Sequence, residues 1–331
     1  MFLKSSNTIF VITLVISTII SISCNSWLTC WLGLEINLMA MVPLLIYKMK
    51  FNSTNATIKY FLMQALTSIV MVSAYIIFFY FNFNNSVNMM SELLTMAMMM
   101  KLGIPPFQFW LPQVVELASA MQSFIILTWQ KIAPFNFLTY MNSNIILFFI
   151  ILTATIGSIG GLNQNSLMKI LAYSSMSHAA WLMVSLNLEE KIWLIYFTIY
   201  TMILMFFFIF IKKMKTKKIS TLLKQNIENK LKMTFSTILL SMGGLPPFLG
   251  FLGKILILQK SMNFFSISLI VVLLIASFIS LLFYTRICFM IFLKSNISLK
   301  MENMNKNKIQ SKMLWLILMS NLVAPLMVLL I

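Results

Sequence analysis

The sequence predicts an all-α polytopic membrane protein with about eleven transmembrane helices. Hydrophobic residues make up 60% of the 331 positions, and charged residues only 9%, against about 25% in ordinary soluble domains. The mean hydropathy is +0.93, and apolar runs of membrane-spanning length recur along the whole chain. A transmembrane β-barrel would alternate polar and apolar residues, which these runs do not.

Apolar length delimits each predicted span in turn, and short connections join most of them. Two connections are longer and rich in lysine, 212–232 and 293–312. The predicted spans have the approximate limits 8–24, 27–47, 58–81, 88–112, 116–140, 144–162, 166–186, 191–211, 233–259, 264–290 and 313–331.

Lysine and arginine fall almost entirely on one side of this topology. If the N-terminus lies on side A, nineteen of the 24 Lys and Arg residues lie on side A, two on side B and three inside spans. This imbalance follows the positive-inside rule and makes side A cytoplasm-like, which for a mitochondrial protein is the matrix. We therefore expect the N-terminus on the matrix side and the C-terminus on the intermembrane-space side. The net charge of +17 is then a topology signal, and no nucleic-acid partner is expected.

Two similar segments interrupt the fourth and ninth spans. Lys101–Phe107 reads KLGIPPF, and Gly244–Phe248 reads GLPPF, with Lys254 six residues later. Pro-Pro after glycine cannot continue an α-helix, because proline has no N–H and restricts the residue before it. The two spans cross the membrane in opposite directions, so the pattern predicts inverted repeats with two proline-broken helices.

Four charged residues and the only histidine lie deeper inside the predicted spans than the other charges, which fall near span ends. They are Glu35, Lys101, Lys131, Lys254 and His178. A charge at the bilayer centre costs at least about 2.5–3.5 kcal/mol on insertion scales, so such residues usually have a function. A lysine whose carboxylate partner approaches or retreats can take up and release a proton, because burial and a nearby charge act in opposite directions. The set predicts proton translocation, with His178 suited to a relay.

Simpler explanations exist for each of these residues. Lys131 and Lys254 could extend to the membrane surface by snorkelling, and Glu35 and Lys101 could form a static ion pair. His178 could be a hydrogen-bonded packing residue. The sequence has no Walker A motif, no GxGxxG and no zinc spacing, and one histidine excludes haem ligation by a histidine pair. We therefore expect no metal and no cofactor bound by this chain.

Four ordered motifs resemble one family. They are Lys101–Pro112 (KLGIPPFQFWLP), Thr128–Pro134 (TWQKIAP), Ala172–His178 (AYSSMSH) and Ser241–Phe251 (SMGGLPPFLGF). Together they resemble the antiporter-like proton-channel subunits of respiratory complex I, the mitochondrial NADH:ubiquinone oxidoreductase, of the insect type. The resemblance runs nearly the whole length of the chain.

The resemblance assigns a role to each buried charge. Glu35 matches the channel glutamate of the family, and Lys101 matches its partner lysine on the broken helix. Lys131 matches the central lysine, and Lys254 the lysine after the second break. It implies one antiporter-like transmembrane domain over 1–331, with half-channels at about 27–140 and 144–290 and a C-terminal helix at about 313–331.

The chain departs from the family pattern at four positions. Gln108 replaces the usual histidine, Gln113 a common acidic residue, Ala180 a glycine and Gly253 a common proline. None of these departures removes a buried charge.

The resemblance also implies an activity and partners. The chain would be a proton-translocating membrane-arm subunit of complex I in the mitochondrial inner membrane, beside other antiporter-like and small membrane subunits. NADH, FMN, the iron–sulfur clusters and ubiquinone would be bound by other subunits, and this chain would contact phospholipid such as cardiolipin. One alternative is a free-standing cation/proton antiporter, and another is a structural subunit whose buried charges only hold the membrane arm together.

Overall fold

The computed structural model describes residues 5–24, 26–46, 51–80, 86–141, 145–224 and 229–293. Within these ranges the regular structure is helical, apart from an isolated β-bridge between Ser166 and Lys218. The chain forms two compact units, Met1–Thr153 and Ala154–Ile331. Each unit is described by itself.

Unit 1 consists mainly of seven helices within the described ranges. They are α1 (Ser5–Ile22), α2 (Trp27–Ile46), α3 (Phe51–Tyr80), α4 (Ser86–Leu102), α5 (Trp110–Leu117), α6 (Ala120–Leu127) and α7 (Trp129–Thr139). Helix α3 packs on α2, α4 and α5, and α7 packs on α1, α4 and α6. The helices predicted to carry Lys101 and Lys131 are therefore direct neighbours, α4 and α7.

Helix α8 (Ile145–Leu162) begins in unit 1 and ends in unit 2, and six further described helices complete unit 2. They are α9 (Leu167–Leu186), α10 (Glu190–Met214), α11 (Ile219–Lys224), α12 (Asn229–Gly243), α13 (Leu249–Ser261) and α14 (Ile267–Leu293). Helix α9 packs on α10, α13 and α14, and α10 also packs on α12 and α13. Ser166 caps the start of α9, because its Oγ accepts the backbone N–H of Lys169 at 3.4 Å.

The end of α4 is a glycine-terminated helix cap. Gly103 has φ 71°, a left-handed value that glycine adopts without a steric penalty. The N–H of Gly103 donates to the carbonyl of Met100 at 3.1 Å, and the N–H of Ile104 donates to the carbonyl of Met99 at 2.9 Å. This bond pair is the Schellman motif, which satisfies carbonyl groups at the end of a helix.

The end of α12 repeats this geometry. Gly244 has φ 80°. Its N–H donates to the carbonyl of Ser241 at 3.2 Å, and the N–H of Leu245 donates to the carbonyl of Leu240 at 3.3 Å. The prolines that follow each glycine lie outside the helices, and the chain resumes helical structure at α5 and at α13. The shared GxPPF pattern therefore produces the same helix end in both units.

Five described helices are long and apolar enough to cross a membrane. They are Trp27–Ile46, Phe51–Ile77, Ile145–Leu162, Lys191–Met214 and Ile267–Leu293. Their outer faces carry large exposed apolar side chains, such as Phe278, Leu282 and Phe289 on α14. A water-soluble surface would rarely expose so many, so these faces suit contact with lipid.

The helices differ from the predicted spans chiefly in two places. Helix α3 begins at Phe51, several residues before the predicted limit of 58. The region predicted as one span, 116–140, contains the end of α5, then α6 and α7. The predicted span 313–331 lies outside the described residues, and the count of eleven and the inverted repeat remain predictions.

Candidate functional site

Lys101 and Lys131 line one cavity in unit 1. Lys101 lies in the last turn of α4 and is 7% exposed, and Lys131 lies in the first turn of α7 and is 3% exposed. The cavity has a volume of about 20 Å³, which exceeds the roughly 10–15 Å³ that one water molecule needs. The structure therefore brings these two predicted site residues together around a space that can hold water.

Glu35 faces the same region from α2. Its Oε1 is buried and has no hydrogen-bond partner within the described part of the chain. The carboxylate is close enough to Lys101 for the two charges to interact. An acceptor without a partner beside a buried lysine is a costly arrangement. It suits a group that changes partners better than a closed structural ion pair.

Polar side chains that we did not predict as site residues complete the cavity. Gln130 Nε2 donates to Asn37 Oδ1 at 2.9 Å, joining the helix of Lys131 to that of Glu35. Gln64 Nε2 donates to the backbone carbonyl of Lys101 at 3.3 Å, and buried Tyr60 forms another part of the wall. The sequence carried one signal for these side chains, since each is a polar residue within an otherwise apolar predicted span.

Lys254 in unit 2 is tied to the end of the preceding helix. It lies on α13 and is 6% exposed. Its Nζ donates to the carbonyl of Gly243, the last residue of α12, at 2.9 Å. A Cβ on the next residue, Gly244, would lie 2.7 Å from Nζ. Gly244 therefore adopts the left-handed conformation that ends α12, and its lack of a side chain leaves room for the Lys254 ammonium group.

His178 belongs to a buried aromatic cluster in the same unit. Its Nδ1 lies 2.8 Å from the hydroxyl of Tyr196, and its ring centre lies 5.1 Å from that of Tyr200. Both tyrosines are on α10, four residues apart, and therefore on one helix face. We did not predict either tyrosine, although their spacing on a shared face was visible in the sequence.

No group of three or more His, Cys, Asp or Glu residues that could hold a metal ion occurs in the described ranges. The polar side chains described above are those of lysine, glutamate, histidine, tyrosine and carboxamide residues. These groups can take up, hold and pass protons.

A comparison with known protein families identifies the family to which this chain belongs. The family described as NADH:quinone oxidoreductase/Mrp antiporter, transmembrane, matches residues 24–280, well over half of the chain. The chain belongs to this family. The match includes Glu35, Lys101, Lys131, His178 and Lys254.

Close relatives within the family carry one name, NADH-ubiquinone oxidoreductase chain 2. The Anopheles gambiae protein is 36% identical over 328 residues, covering 97% of this chain and 95% of the mosquito protein. The Locusta migratoria protein is 35% identical over 294 residues, covering 87% and 86%. The Loxodonta africana protein is 35% identical over 328 residues, covering 95% and 94%. These relatives confirm the resemblance to complex I that the four motifs indicated.

Solved structures share the fold at lower identity. A chain of respiratory complex I from Thermus thermophilus aligns with TM-score 0.80 and 20% identity, covering 94% of this chain and 75% of that one. A chain of the Mrp complex from Dietzia aligns with TM-score 0.72 and 16% identity, covering 86% and 60%. A chain of an archaeal membrane-bound sulfane sulfur reductase aligns with TM-score 0.80 and 14% identity, covering 96% and 72%.

Proposed function

We propose that this chain is a proton-translocating core subunit in the membrane arm of respiratory complex I. Glu35, Lys101 and Lys131 form the path in unit 1, and Lys254 with His178 forms the path in unit 2. The observation that carries the proposal is the cavity shared by Lys101 and Lys131, beside the buried Oε1 of Glu35. Water there would connect two lysines that are both shielded from the surroundings.

The proposed stroke begins at the Glu35–Lys101 pair. When the carboxylate approaches Lys101, the ammonium is stabilised, and when it retreats, Lys101 gives its proton toward Lys131 through the cavity. Coulomb interactions in a poorly hydrated interior are several times stronger than in water. A small displacement of the Glu35 carboxylate is therefore enough to release the proton from Lys101. His178 relays the proton, and Lys254 releases it on the intermembrane-space side.

The proposed architecture has eleven spans and inverted repeats with two broken helices. The half-channels would occupy about 27–140 and 144–290, followed by a C-terminal helix at about 313–331. The equivalent Schellman motifs at Gly103 and Gly244 support a repeat relationship. The charge asymmetry supports a matrix N-terminus and an intermembrane-space C-terminus.

Redox chemistry would take place on other subunits, which bind NADH, FMN, iron–sulfur clusters and ubiquinone. This chain would lie in the mitochondrial inner membrane beside antiporter-like and small membrane subunits. Exposed lysines in the last turn of α10 and directly after it, Lys212, Lys213 and Lys215, would contact anionic phospholipid such as cardiolipin. Juxtamembrane lysines gain about 1 kcal/mol each from an anionic lipid surface.

A free-standing cation/proton antiporter is the second candidate. The family description includes Mrp antiporters, and the fold of the Dietzia Mrp chain is similar. This candidate predicts that the isolated chain exchanges cations for protons in vesicles. The complex I proposal predicts no exchange by the isolated chain, and pumping only with NADH oxidation in the assembled complex.

Two lysine substitutions test the proposal in assembled complex I. Lys101→Ala and Lys131→Met each remove a proton carrier from the cavity. Lys191→Met is the matched control, because Lys191 is exposed at the start of α10. The measurements are the amount of assembled complex on native gels, and NADH:ubiquinone turnover with proton uptake in proteoliposomes.

We expect near-normal assembly and at least about a hundredfold loss of turnover for both cavity variants, the scale of a lost proton-transfer group. Lys191→Met should behave as the unmodified complex. Poor assembly with normal pumping per assembled complex would instead support a purely structural role for the buried charges. If Lys131→Met pumps normally, snorkelling explains Lys131 and the path is wrong.

A further inference from the structure

Tyr196 makes contacts with two different helices of unit 2. Its hydroxyl lies 2.8 Å from Nδ1 of His178 on α9. Its ring packs against the backbone of Gly253 on α13, so closely that a Cβ at 253 would lie 2.5 Å from Cδ2 and 3.0 Å from Cε2. Gly253 directly precedes Lys254. Tyr196 therefore bridges the helix of the histidine and the helix of the lysine.

We propose that Tyr196 is a positioning residue for His178, held in place by Gly253. The inference rests on the proposed function, because it concerns how the relay histidine is oriented. A tyrosine hydroxyl both donates and accepts, so it can bond Nδ1 in either tautomer. The bond at Nδ1 therefore fixes the orientation of the imidazole ring while either nitrogen carries the proton.

The packing of Tyr196 on Gly253 couples its hydrogen bond with His178 to the position of α13. Tyr196 and His178 are both buried, so the tyrosine ring has little freedom to move away from its partner. Because the ring lies directly on the α13 backbone, a displacement of that helix shifts the ring and stretches the hydrogen bond. The state of the Lys254 helix is thereby transmitted to His178 without contact between the two titratable side chains.

The absence of a side chain at position 253 has a steric reason in this structure. Any side-chain atom at 253 would meet the Tyr196 ring. The glycine is therefore required by the ring and not by the backbone, since residue 253 lies inside regular helix α13.

The hydroxyl is tested by Tyr196→Phe in assembled complex I, which keeps the ring on Gly253. The matched control is Tyr173→Phe, because the Tyr173 ring also packs on a glycine, Gly160. Within the described residues the Tyr173 hydroxyl has no hydrogen-bond partner in the structure. We expect Tyr196→Phe to lower proton-pumping turnover about five- to tenfold, the scale of one lost hydrogen bond, and Tyr173→Phe to leave it unchanged.

A second variant acts on the ring and leaves the hydroxyl in place. Gly253→Ala adds a methyl group that overlaps the Tyr196 ring and so displaces it from its present position, although alanine is the better helix former. It should lower turnover like Tyr196→Phe, and should have little effect when Tyr196 is already alanine. Assembly is measured for every variant, so a folding defect is distinguished from lost positioning.

A double-substitution cycle with His178→Gln decides whether Tyr196 acts through the histidine. The double variant should be no slower than His178→Gln alone. Additive losses, or a Tyr196→Phe complex that pumps like the Tyr173→Phe control, would overturn the inference. Failure here with impaired Lys101→Ala and Lys131→Met complexes leaves the proposed function standing, whereas normal pumping by those two variants refutes the proposed function itself.

Discussion

Replacing Gly244 by alanine should separate the structural role of the second helix break from its role in holding Lys254. The backbone at 244 has φ 80°, and a left-handed conformation costs an L-residue about 1–2 kcal/mol. The added Cβ would lie 2.7 Å from Nζ of Lys254 and 3.0 Å from its Cε. Because the ammonium is the end of a flexible side chain, it should move rather than the helix.

The movement breaks the bond from Nζ to the carbonyl of Gly243, which is 2.9 Å long. A hydrogen bond from a charged donor contributes about 1.5–3 kcal/mol. Together with the backbone strain, the substitution costs about 2.5–5 kcal/mol. Only the backbone strain should weaken the fold, whereas loss of the hydrogen bond displaces Lys254, a proposed proton carrier.

Two readouts in the same preparation separate these parts. Gly103→Ala is the comparison for strain, because Gly103 has a similar φ of 71° but its Cβ would meet Leu111 and Trp110 and no lysine. Both variants should reduce the amount of assembled complex on native gels, Gly103→Ala at least as strongly, because its Cβ would also lie 2.9 Å from the Cβ of Leu111. Gly244→Ala should in addition lower proton uptake per assembled complex by about tenfold or more, corresponding to 1.5 kcal/mol or above.

The Lys254→Met background supplies the decisive comparison. There, residual pumping should be the same with glycine or alanine at 244, since the lysine is already absent. If Gly244→Ala complexes pump at the unmodified rate, the bond to Gly243 has no part in turnover. The reasoning would also be refuted if alanine lowered pumping equally with and without Lys254.

Two further substitutions test the packing that positions the site. Gly250→Ala should largely abolish assembly, because its Cβ would collide with the backbone carbonyl of Ser241. Native gels of membranes measure the assembly, and a normal amount of complex would contradict the close approach of α13 to α12. Gln122→Ala should lower the thermal stability of the assembled complex by about 2–4 kcal/mol, because buried Gln122 donates to two carbonyls near the end of α2. Exposed Gln113→Ala is its control, and equal melting curves for the two would contradict this prediction.

The positions of most helices could be predicted because apolar length determines where a chain crosses lipid. The predicted limits 144–162 and 166–186 agree closely with α8 and α9. The division of 116–140 was missed, although Ser119 and Gln122 have the spacing of a capping box; in the structure Gln122 Oε1 accepts the backbone N–H of Ser119 at 2.8 Å. The long apolar run outweighed this short polar signal.

The charges stand out in the sequence because a charge in an apolar run is conspicuous, and the structure buries Lys101, Lys131 and Lys254. The hydrogen bonds of the surrounding residues could not be predicted, since bonds between different helices leave no local spacing in the sequence. The bond from Gln130 to Asn37 spans 93 residues, and that from His178 to Tyr196 spans 18. The location of Lys254 was uncertain for another reason, because counting residues through a non-helical break does not give depth.

The two helix breaks have one backbone geometry but different donors at their carbonyls. In unit 1 the indole N–H of Trp110 donates to the carbonyl of Met100 at 3.2 Å, so a neutral group satisfies the helix end. Lys101 is then not required there, and its side chain lines the cavity with Lys131. In unit 2 the donor is the ammonium of Lys254 itself.

This difference supports different roles for the two lysines. Lys101 can respond to the Glu35 carboxylate without disturbing the end of α4, because Trp110 keeps that end satisfied. Lys254 cannot leave the carbonyl of Gly243 without removing a hydrogen bond from the end of α12, which favours a cation at that position. Transfer of its proton should therefore be coupled to movement at the break. Under the proposed function, the same GxPPF sequence would then give a fast switch at Lys101 and a conformationally gated release at Lys254, because a different side chain reaches back to each helix end.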